Sequence, residues 1–178
     1  MHLPESFDER GRLQAVVETP KGSHFKYDYD SEKRVFVIKK SLPKGMEFPE
    51  NFGFIPKTLG EDGDPLDIII LSDYPLEMGS VALVVLLGVL EAEQVEVGAS
   101  RPIRNDRLVG YLINEDDETE AFIHSVAELP QPLKNHLELF FVHFAEAQRK
   151  VFKPLHWYGP NHAKTLVEMG MSAAQSKL

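Results

Sequence analysis

The feature that most limits the possible folds of this chain is a series of short apolar segments separated by turn-forming residues. Several short strands at such close spacing are typical of a β-barrel or a β-sandwich. We predict strands over residues 13–18, 25–29, 35–38, 52–55, 66–71, 81–90 and 109–113. This part of the chain is therefore expected to be mainly β, preceded by a polar, loosely ordered lead over residues 1–12.

Helical spacing replaces the strand pattern toward the C-terminus. Apolar residues recur every three or four positions over residues 132–150, which predicts an amphipathic helix. A second helix is predicted over residues 161–174, and residues 154–160 form the connector, with Trp157 packed in the fold. No long linker divides the sequence, so we expect residues 1–178 to form one α+β domain that is mainly β.

Composition excludes several classes of function. The chain has no cysteine, so it contains neither a disulfide scaffold nor a cysteine nucleophile. A formal net charge of −9 argues against a nucleic-acid partner, since lysine and arginine drive such binding. The longest apolar run, Val81 to Leu90, is too short to cross a membrane as a helix, and no signal peptide is visible. We therefore expect a cytoplasmic protein, with a solvated acidic loop from Asn114 to Glu120.

The most distinctive stretch precedes a predicted buried strand, where Asp62, Asp64 and Asp67 fall within six residues. Carboxylate oxygens are the ligands that hard cations such as Mg²⁺ prefer. Asp62 and Asp64 point to the same side of an extended backbone, and a bend at Gly63 and Pro65 can return Asp67 to them. The spacing is consistent with a metal site.

Two other interpretations of this stretch compete with a metal site. Asp-Gly and Asp-Pro are common turn formers, so the aspartates can equally belong to a plain turn, and spacing alone leaves this alternative open. A calcium-binding loop from Asp62 to Asp73 is excluded, because its sixth position requires glycine and is Asp67 here.

The run from Asp62 to Asp67 matches the D-G-D-P-x-D signature of the soluble family I inorganic pyrophosphatases, and neighbouring segments resemble that family in the same order. These segments are Val16 to Pro20, Lys26 to Asp28, Phe48 to Pro56, Asp73 to Leu76, Gly79 to Val81 and Gly88 to Leu90. The resemblance covers about residues 13–158. It implies a five-stranded OB-like β-barrel with two packed helices, and Mg²⁺-dependent hydrolysis of pyrophosphate into two phosphates, with Mn²⁺ as an alternative cation.

The resemblance also implies a role for each matching position. Asp62 and Asp67 would hold metal ions that activate water, and Asp64 is the candidate general base. Glu18 and Asp28 match outer metal-binding carboxylates, although the family usually has glutamate at the position of Asp28. The residues expected to bind the substrate are Lys26, Lys40 and Arg107.

Several positions depart from the family pattern. They are Phe48, Phe52, Gln94, Asn105, Phe144 and Ala145. The three phenylalanines replace tyrosines, the alanine replaces a phosphate-binding lysine, and the two amides replace metal-binding aspartates. A rearranged loop would let nearby carboxylates take over from the amides, the candidates being Glu93, Glu96 and Asp106. Because each lost electrostatic contact can cost about 10²–10³ in rate, these departures bear directly on activity.

Two hypotheses from different classes follow. The first is an inorganic pyrophosphatase, or a relative that acts on another small phosphoanhydride, in which Asp62, Asp64 and Asp67 carry the chemistry. The second is a catalytically weak or inactive paralogue that serves as a binding or assembly protein. Bacterial members of the family are typically homohexamers, so the resemblance implies a homo-oligomer with no nucleic-acid or membrane partner.

Overall fold

The computed structural model describes residues 3–114 and 123–177. Its strands are β1 (Leu13–Thr19), β2 (Phe25–Asp30), β3 (Val35–Ser41), β4 (Asn51–Phe54), β5 (Asp67–Leu71), β6 (Val81–Glu96), β7 (Ile103–Arg104), β8 (Arg107–Ile113) and β9 (Lys150–Tyr158). Its α-helices are α1 (Gln131–Glu146) and α2 (Pro160–Gln175). Most of the predicted acidic loop, residues 115–120, lies outside the described residues.

Five of the strands close into a barrel. β1 pairs with β4, β4 with β5, β5 with β8 and β8 with β6, and β6 returns to pair with β1. The β5–β8 pair is parallel, and the other pairs of the ring are antiparallel. The residues of β1 and β5 are almost all buried, and most of them are apolar. The expected five-stranded barrel is confirmed.

Two glycines allow close approach between strands. A Cβ on Gly53 of β4 would lie 2.0 Å from the carbonyl oxygen of Val16 in β1. Gly88 in β6 has φ +153° and sits at a register shift, and a Cβ there would lie 2.2 Å from the carbonyl oxygen of Tyr158 in β9. A side chain at either position would push the paired strands apart.

The segment after α1 differs from the prediction. α1 ends at Glu146 instead of continuing to residue 150, and Arg149 adopts φ +59°, which a helix cannot continue through. The chain then forms β9, so the predicted connector over residues 154–160 is wrong for most of its length. Trp157 is packed, as expected, and its Nε1 donates a hydrogen bond to Glu138 at 2.5 Å. α2 agrees with the predicted second helix to within a residue at each end.

Part of the predicted lead is packed against the barrel. Ser6 is buried, and its hydroxyl donates a hydrogen bond to the carbonyl oxygen of Pro56 at 2.6 Å. Phe7 forms an isolated bridge with Leu13 and packs on the apolar core. The lead is therefore anchored at Ser6 and Phe7, because the Ser6 hydroxyl group and the Phe7 ring contact the barrel. None of the described helices combines the length and the apolar character needed to cross a bilayer.

The helices and the β2–β3 ribbon surround the site described below. Phe140 of α1 belongs to one core cluster, and Val167 of α2 belongs to the other. β2 and β3 form a separate two-stranded ribbon. The ammonium group of Lys26 on this ribbon lies 5.0 Å from the ring centroid of Phe52 in β4, which brings the ribbon to the barrel.

Candidate active site

The loop before β5 holds its aspartates in a compact turn. Gly63 has φ +90°, a conformation that glycine adopts without strain. The backbone N–H of Gly60 donates to the carbonyl oxygen of Asp64 at 2.8 Å, and the N–H of Asp64 donates to Oδ1 of Asp62 at 3.1 Å. The Asp64 carboxylate is exposed and has no hydrogen bond or ion pair within the described residues. Asp67, at the start of β5, keeps 25% of its side chain exposed.

Lys26 lies between two carboxylates. Its Nζ is 3.1 Å from Glu18 and 2.5 Å from Asp28, and it donates to the carbonyl oxygen of Tyr27 at 2.7 Å. Burial alone would lower the pKa of Lys26, but attraction to the two carboxylates outweighs it and raises that pKa, so the ammonium stays charged. Glu18 and Asp28, which we expect to be outer metal ligands, are thus ion-paired with this lysine.

Asp67 is paired with Arg107 of β8. The distance from Nη1 of Arg107 to Oδ2 of Asp67 is 2.7 Å, and the arginine side chain is only 8% exposed. Its guanidinium lies 5.0–5.7 Å from the ring centroids of Phe52, Phe141 and Phe152. The Nε of Arg107 has no hydrogen-bond partner among the described residues, and contact with these rings offsets part of the cost of burying it. Arg107 is expected to bind the substrate, and one of its N–H groups is already paired with Asp67.

The amides Gln94 and Asn105 lie side by side. Nδ2 of Asn105 donates a hydrogen bond to Oε1 of Gln94 at 3.1 Å, and Oδ1 of Asn105 accepts one from Nη1 of Arg107. Two carboxylates at these positions would repel each other and attract a cation. The amides share one hydrogen bond instead, and the Arg107 guanidinium provides the positive charge.

Two of the three carboxylates suggested as replacements for these amides have other partners. Asp106 pairs with Nη2 of Arg104 at 2.8 Å, and Glu96 pairs with Lys150 at 2.7 Å. Glu93 lies opposite Arg104 where β6 pairs with β7. The ligand set that a rearranged loop would supply is thus not formed by the residues of this part of the chain.

The aromatic substitutions form a packed cluster. Phe48 and Phe52 are buried, and the ring centroids of Phe48 and Phe140 are 4.9 Å apart. Phe144 stacks on Phe140 with centroids 5.8 Å apart and an interplanar angle of 8°, and Ala145 is buried beside them. These positions therefore contribute to the core, where a hydroxyl or ammonium group would need a partner.

Burial and like charge shape the ionisation of the aspartate loop. Burial raises the pKa of Asp67, against the attraction of Arg107 and Lys26, and repulsion from Asp62 raises it further. Burial also raises the pKa of Asp62, and that of Glu18 despite the nearby Lys26. The neighbouring cations therefore do not fully offset the cost of burying these charged carboxylates, and a bound metal cation would offset more of it.

A divalent cation fits this donor set only in part. Across residues 3–114 and 123–177, no three carboxylate or imidazole groups converge closely enough to hold a metal ion. Asp62 and Asp67 are nevertheless suited to Mg²⁺, which is usually held by one or two carboxylates and completes its coordination with water and substrate phosphate oxygens. The residues therefore match an ion shared with a phosphate substrate and do not match a closed protein cage.

Two more polar residues frame the site. Lys40 lies opposite Lys26 in the ribbon and is exposed to solvent. Asn51 of β4, which sequence reasoning did not assign, is fully buried, and its Oδ1 accepts hydrogen bonds from the N–H groups of Lys21 at 3.0 Å and Leu76 at 2.8 Å. It ties two loops to the barrel. The available signal was an amide inside an otherwise apolar segment.

Comparison with known proteins finds one family over most of this chain. The family described as inorganic pyrophosphatase matches residues 15–175. A protein named inorganic pyrophosphatase from Sulfolobus acidocaldarius is 34% identical, over 89% of this chain and 89% of its own length. One from Aquifex pyrophilus is 31% identical, over 95% of this chain and 93% of its own length. The solved inorganic pyrophosphatase from Helicobacter pylori gives a TM-score of 0.86 at 28% identity, over 98% of this chain and 99% of that chain. The solved structure from Thermus thermophilus gives a TM-score of 0.84 at 29% identity, over 97% of both chains.

These similarities extend over the barrel, the aspartate loop and both helices. They confirm the fold and the relationship inferred from short motifs, and they support the expectation that the protein is a hydrolase. From its sequence, its barrel and the aspartate loop that opens β5, this chain belongs to the inorganic pyrophosphatase family.

Proposed function

We propose that this protein hydrolyses inorganic pyrophosphate with the help of a divalent cation, Mg²⁺ first and Mn²⁺ as an alternative. The observation that carries the proposal is the charge arrangement around Asp67. Its carboxylate lies near that of Asp62, while Lys26 and Arg107 both attract it. A site for pyrophosphate and its counter-cation needs carboxylates for the metal beside fixed cations for the phosphates.

The acidic and the basic residues of the site have different proposed roles. Asp62 and Asp67 would hold the cation, which when bound neutralises phosphate oxygens and lowers the pKa of a bound water. Arg107 keeps Asp67 in place, and its positive charge opposes the rise in the pKa of Asp67 that burial causes. Lys26 presents an ammonium group to phosphate oxygens as a point charge, and Lys40 adds a second cation on the same ribbon.

Asp64 is the proposed general base. The backbone N–H of Asp64 donates a hydrogen bond to Asp62, which fixes the turn. The Asp64 carboxylate itself is exposed and, within the described residues, has no hydrogen-bond or ion-pair partner that would hold it away from a water molecule. A water oxygen attacks one phosphorus atom, the bond from that atom to the bridging oxygen breaks, and Asp64 accepts the proton. The second phosphate leaves with the bridging oxygen. General base catalysis of this kind contributes about 10²–10⁴-fold.

Steady-state kinetics of single variants test these roles. Asp64→Asn is expected to lower kcat by about 10²–10⁴-fold with little change in KM, since it removes a group that acts in the transition state. Lys26→Met is expected to raise KM as well, because it removes a phosphate contact. Lys44→Met, a change at an exposed lysine without a described partner, is the control. A wild-type kcat for Asp64→Asn, or a wild-type KM for Lys26→Met, contradicts the assignment.

A second candidate function is a weakly active or inactive paralogue that binds or assembles with a partner. It is favoured by the Gln94–Asn105 amide pair, which needs no cation, and by the packing of Phe144 and Ala145 in the core. Turnover by the wild-type protein that is no faster than by Asp64→Asn would select this alternative. Metal-dependent turnover that the substitution abolishes would reject it.

We also propose a homo-oligomer, a hexamer by analogy with bacterial members of the family, located in the cytoplasm. Leu139 on α1 and Val151 on β9 are 55% and 59% exposed, so these neighbouring elements present apolar side chains for subunit contact. Light scattering on the eluting protein is expected to give about six times the chain mass of 20.1 kDa. A mass equal to that of one chain contradicts this proposal.

A further inference from the structure

A cavity of about 480 Å³ lies between the aspartate loop and α2. Its apolar wall is formed by Leu59 and Leu66 beside the loop and by Leu166, Met169 and Ala173 on α2. Pockets that hold small organic molecules typically measure about 300–1,000 Å³. The cavity is therefore large enough for a ligand of that class.

The cavity is chemically distinct from the cationic side of the proposed active site. Lys26 and Arg107 are not among its lining residues. Of the lining residues that the structure describes, the one cation is Arg104, which already pairs with Glu91 at 2.9 Å and Asp106 at 2.8 Å. A phosphate anion would find no unpaired positive charge there.

Negative charge predominates at the mouth of the cavity. The lining carboxylates are Glu61, Asp62, Asp67, Glu91 and Asp106. Arg104 pairs with both Glu91 and Asp106, and Arg107 pairs with Asp67, so two positive charges face these three carboxylates. The other two, Glu61 and Asp62, are exposed and have no ion pair among the described residues. Glu61 accepts a hydrogen bond at 3.3 Å from the backbone N–H of Arg104, which carries no formal charge.

We propose that this cavity binds a small organic cation, an aryl- or alkylammonium. The apolar body packs against Leu166 and Met169 of α2, and the ammonium group pairs with Glu61 and Asp62. Such a molecule matches both the apolar wall and the negative mouth of the cavity. A neutral molecule matches only the wall, and an anionic molecule is repelled by the charge at the mouth. The proposal goes beyond pyrophosphate hydrolysis, because the ligand is neither the metal nor the substrate of that reaction. Asp62 is also a proposed ligand of the divalent cation, so binding of the organic cation is measured without divalent ions.

Isothermal titration calorimetry of the full chain in EDTA tests the proposal with three ligands that share one indole body. Tryptamine is cationic at pH 7, tryptophol is neutral and indole-3-acetate is anionic. We expect tryptamine to bind at least about tenfold more tightly than tryptophol, in line with a charge-assisted hydrogen bond, and indole-3-acetate to bind most weakly. Equal binding of all three, or no binding of tryptamine, overturns the proposal.

Two phenylalanine variants test whether the ligand binds in the cavity. Ala173→Phe fills the cavity from an exposed helix position, and it is expected to abolish tryptamine binding. Ser172→Phe makes the same change at the adjacent exposed residue, which does not line the cavity, and should leave binding intact. Glu61→Gln should weaken tryptamine and leave tryptophol unchanged. Undiminished tryptamine binding by Ala173→Phe overturns the proposal, as does equal loss in both phenylalanine variants.

Discussion

Removal of the Arg107 guanidinium is the change with the most specific expected consequence for stability. Arg107→Met keeps an unbranched apolar side chain among Phe52, Phe141 and Phe152 but leaves the Asp67 carboxylate without its partner at 2.7 Å. Breaking a buried ion pair by removing one partner costs about 3–5 kcal/mol. Because 25% of the Asp67 side chain is exposed, water screens part of the loss. We therefore expect a loss of about 2–3 kcal/mol in the free energy of unfolding.

Urea unfolding without divalent ions measures this loss. With an m-value of about 1–3 kcal/mol/M, the midpoint should fall by about 1–2 M. Asp67→Asn in the Arg107→Met background should recover about 1–2 kcal/mol, since it removes the unpaired charge. Lys39→Met is the control, because Lys39 is 60% exposed and lies 3.5 Å from Asp28. It should cost less than about 0.5 kcal/mol. A small loss for Arg107→Met, or no recovery in the double variant, would refute the reasoning.

The penalty of Arg107→Met should also depend on pH. Burial already raises the pKa of Asp67, and loss of the guanidinium raises it further. The native state then holds a proton that the unfolded state releases near pH 3.9, so stability falls as the pH rises from about 4 through the native pKa. The difference in stability from the wild type should be small near pH 4 and larger at pH 7. A difference that is independent of pH would contradict this assignment.

Three further predictions concern the barrel and the metal site. Gly53→Ala places a Cβ 2.0 Å from the Val16 carbonyl oxygen, and it should cost at least about 3 kcal/mol by urea unfolding; a wild-type midpoint would contradict the strand contact. The double substitution Gln94→Asp, Asn105→Asp should tighten Mn²⁺ binding by roughly tenfold or more in calorimetry, since it replaces a self-satisfied amide pair by carboxylates; unchanged affinity would refute this. Because burial raises the pKa of Asp62, Mn²⁺ binding should weaken as the pH is lowered from 7 to 5, and equal affinities at both pH values would argue against Asp62 as a ligand.

Much of the fold followed from local patterns, and the exceptions have local causes. Pro154 suggested a connector, yet it lies within β9, which pairs with β6 alone, and a proline is tolerated in such an edge strand near a register shift. The end of α1 carried no glycine stop signal, and Arg149 takes the positive φ that glycine would usually supply. Closure of the ring depends on pairing between distant segments, which periodicity alone does not reveal.

The candidate site was predictable where its residues are close in sequence. The turn that carries Asp62 and Asp64 follows from Gly63, whose positive φ is observed. The pairing of Asp67 with Arg107 was not predictable, because residues on β5 and β8 meet only through a parallel strand pair. The hydrogen bond that Asn105 donates to Gln94 likewise joins β6 to the turn between β7 and β8. Family resemblance located such positions, and only the structure gave their partners.

Phosphate release from pyrophosphate by the purified protein tests the central proposal most directly. The assay compares Mg²⁺, Mn²⁺ and EDTA, with an Asp64→Asn, Asp67→Asn double variant prepared identically. The proposal predicts release that requires a divalent ion and is lost in the double variant. Release by the wild-type protein that is no faster than by the variant with either ion would contradict it, and would leave the aspartate loop as a binding site without this chemistry.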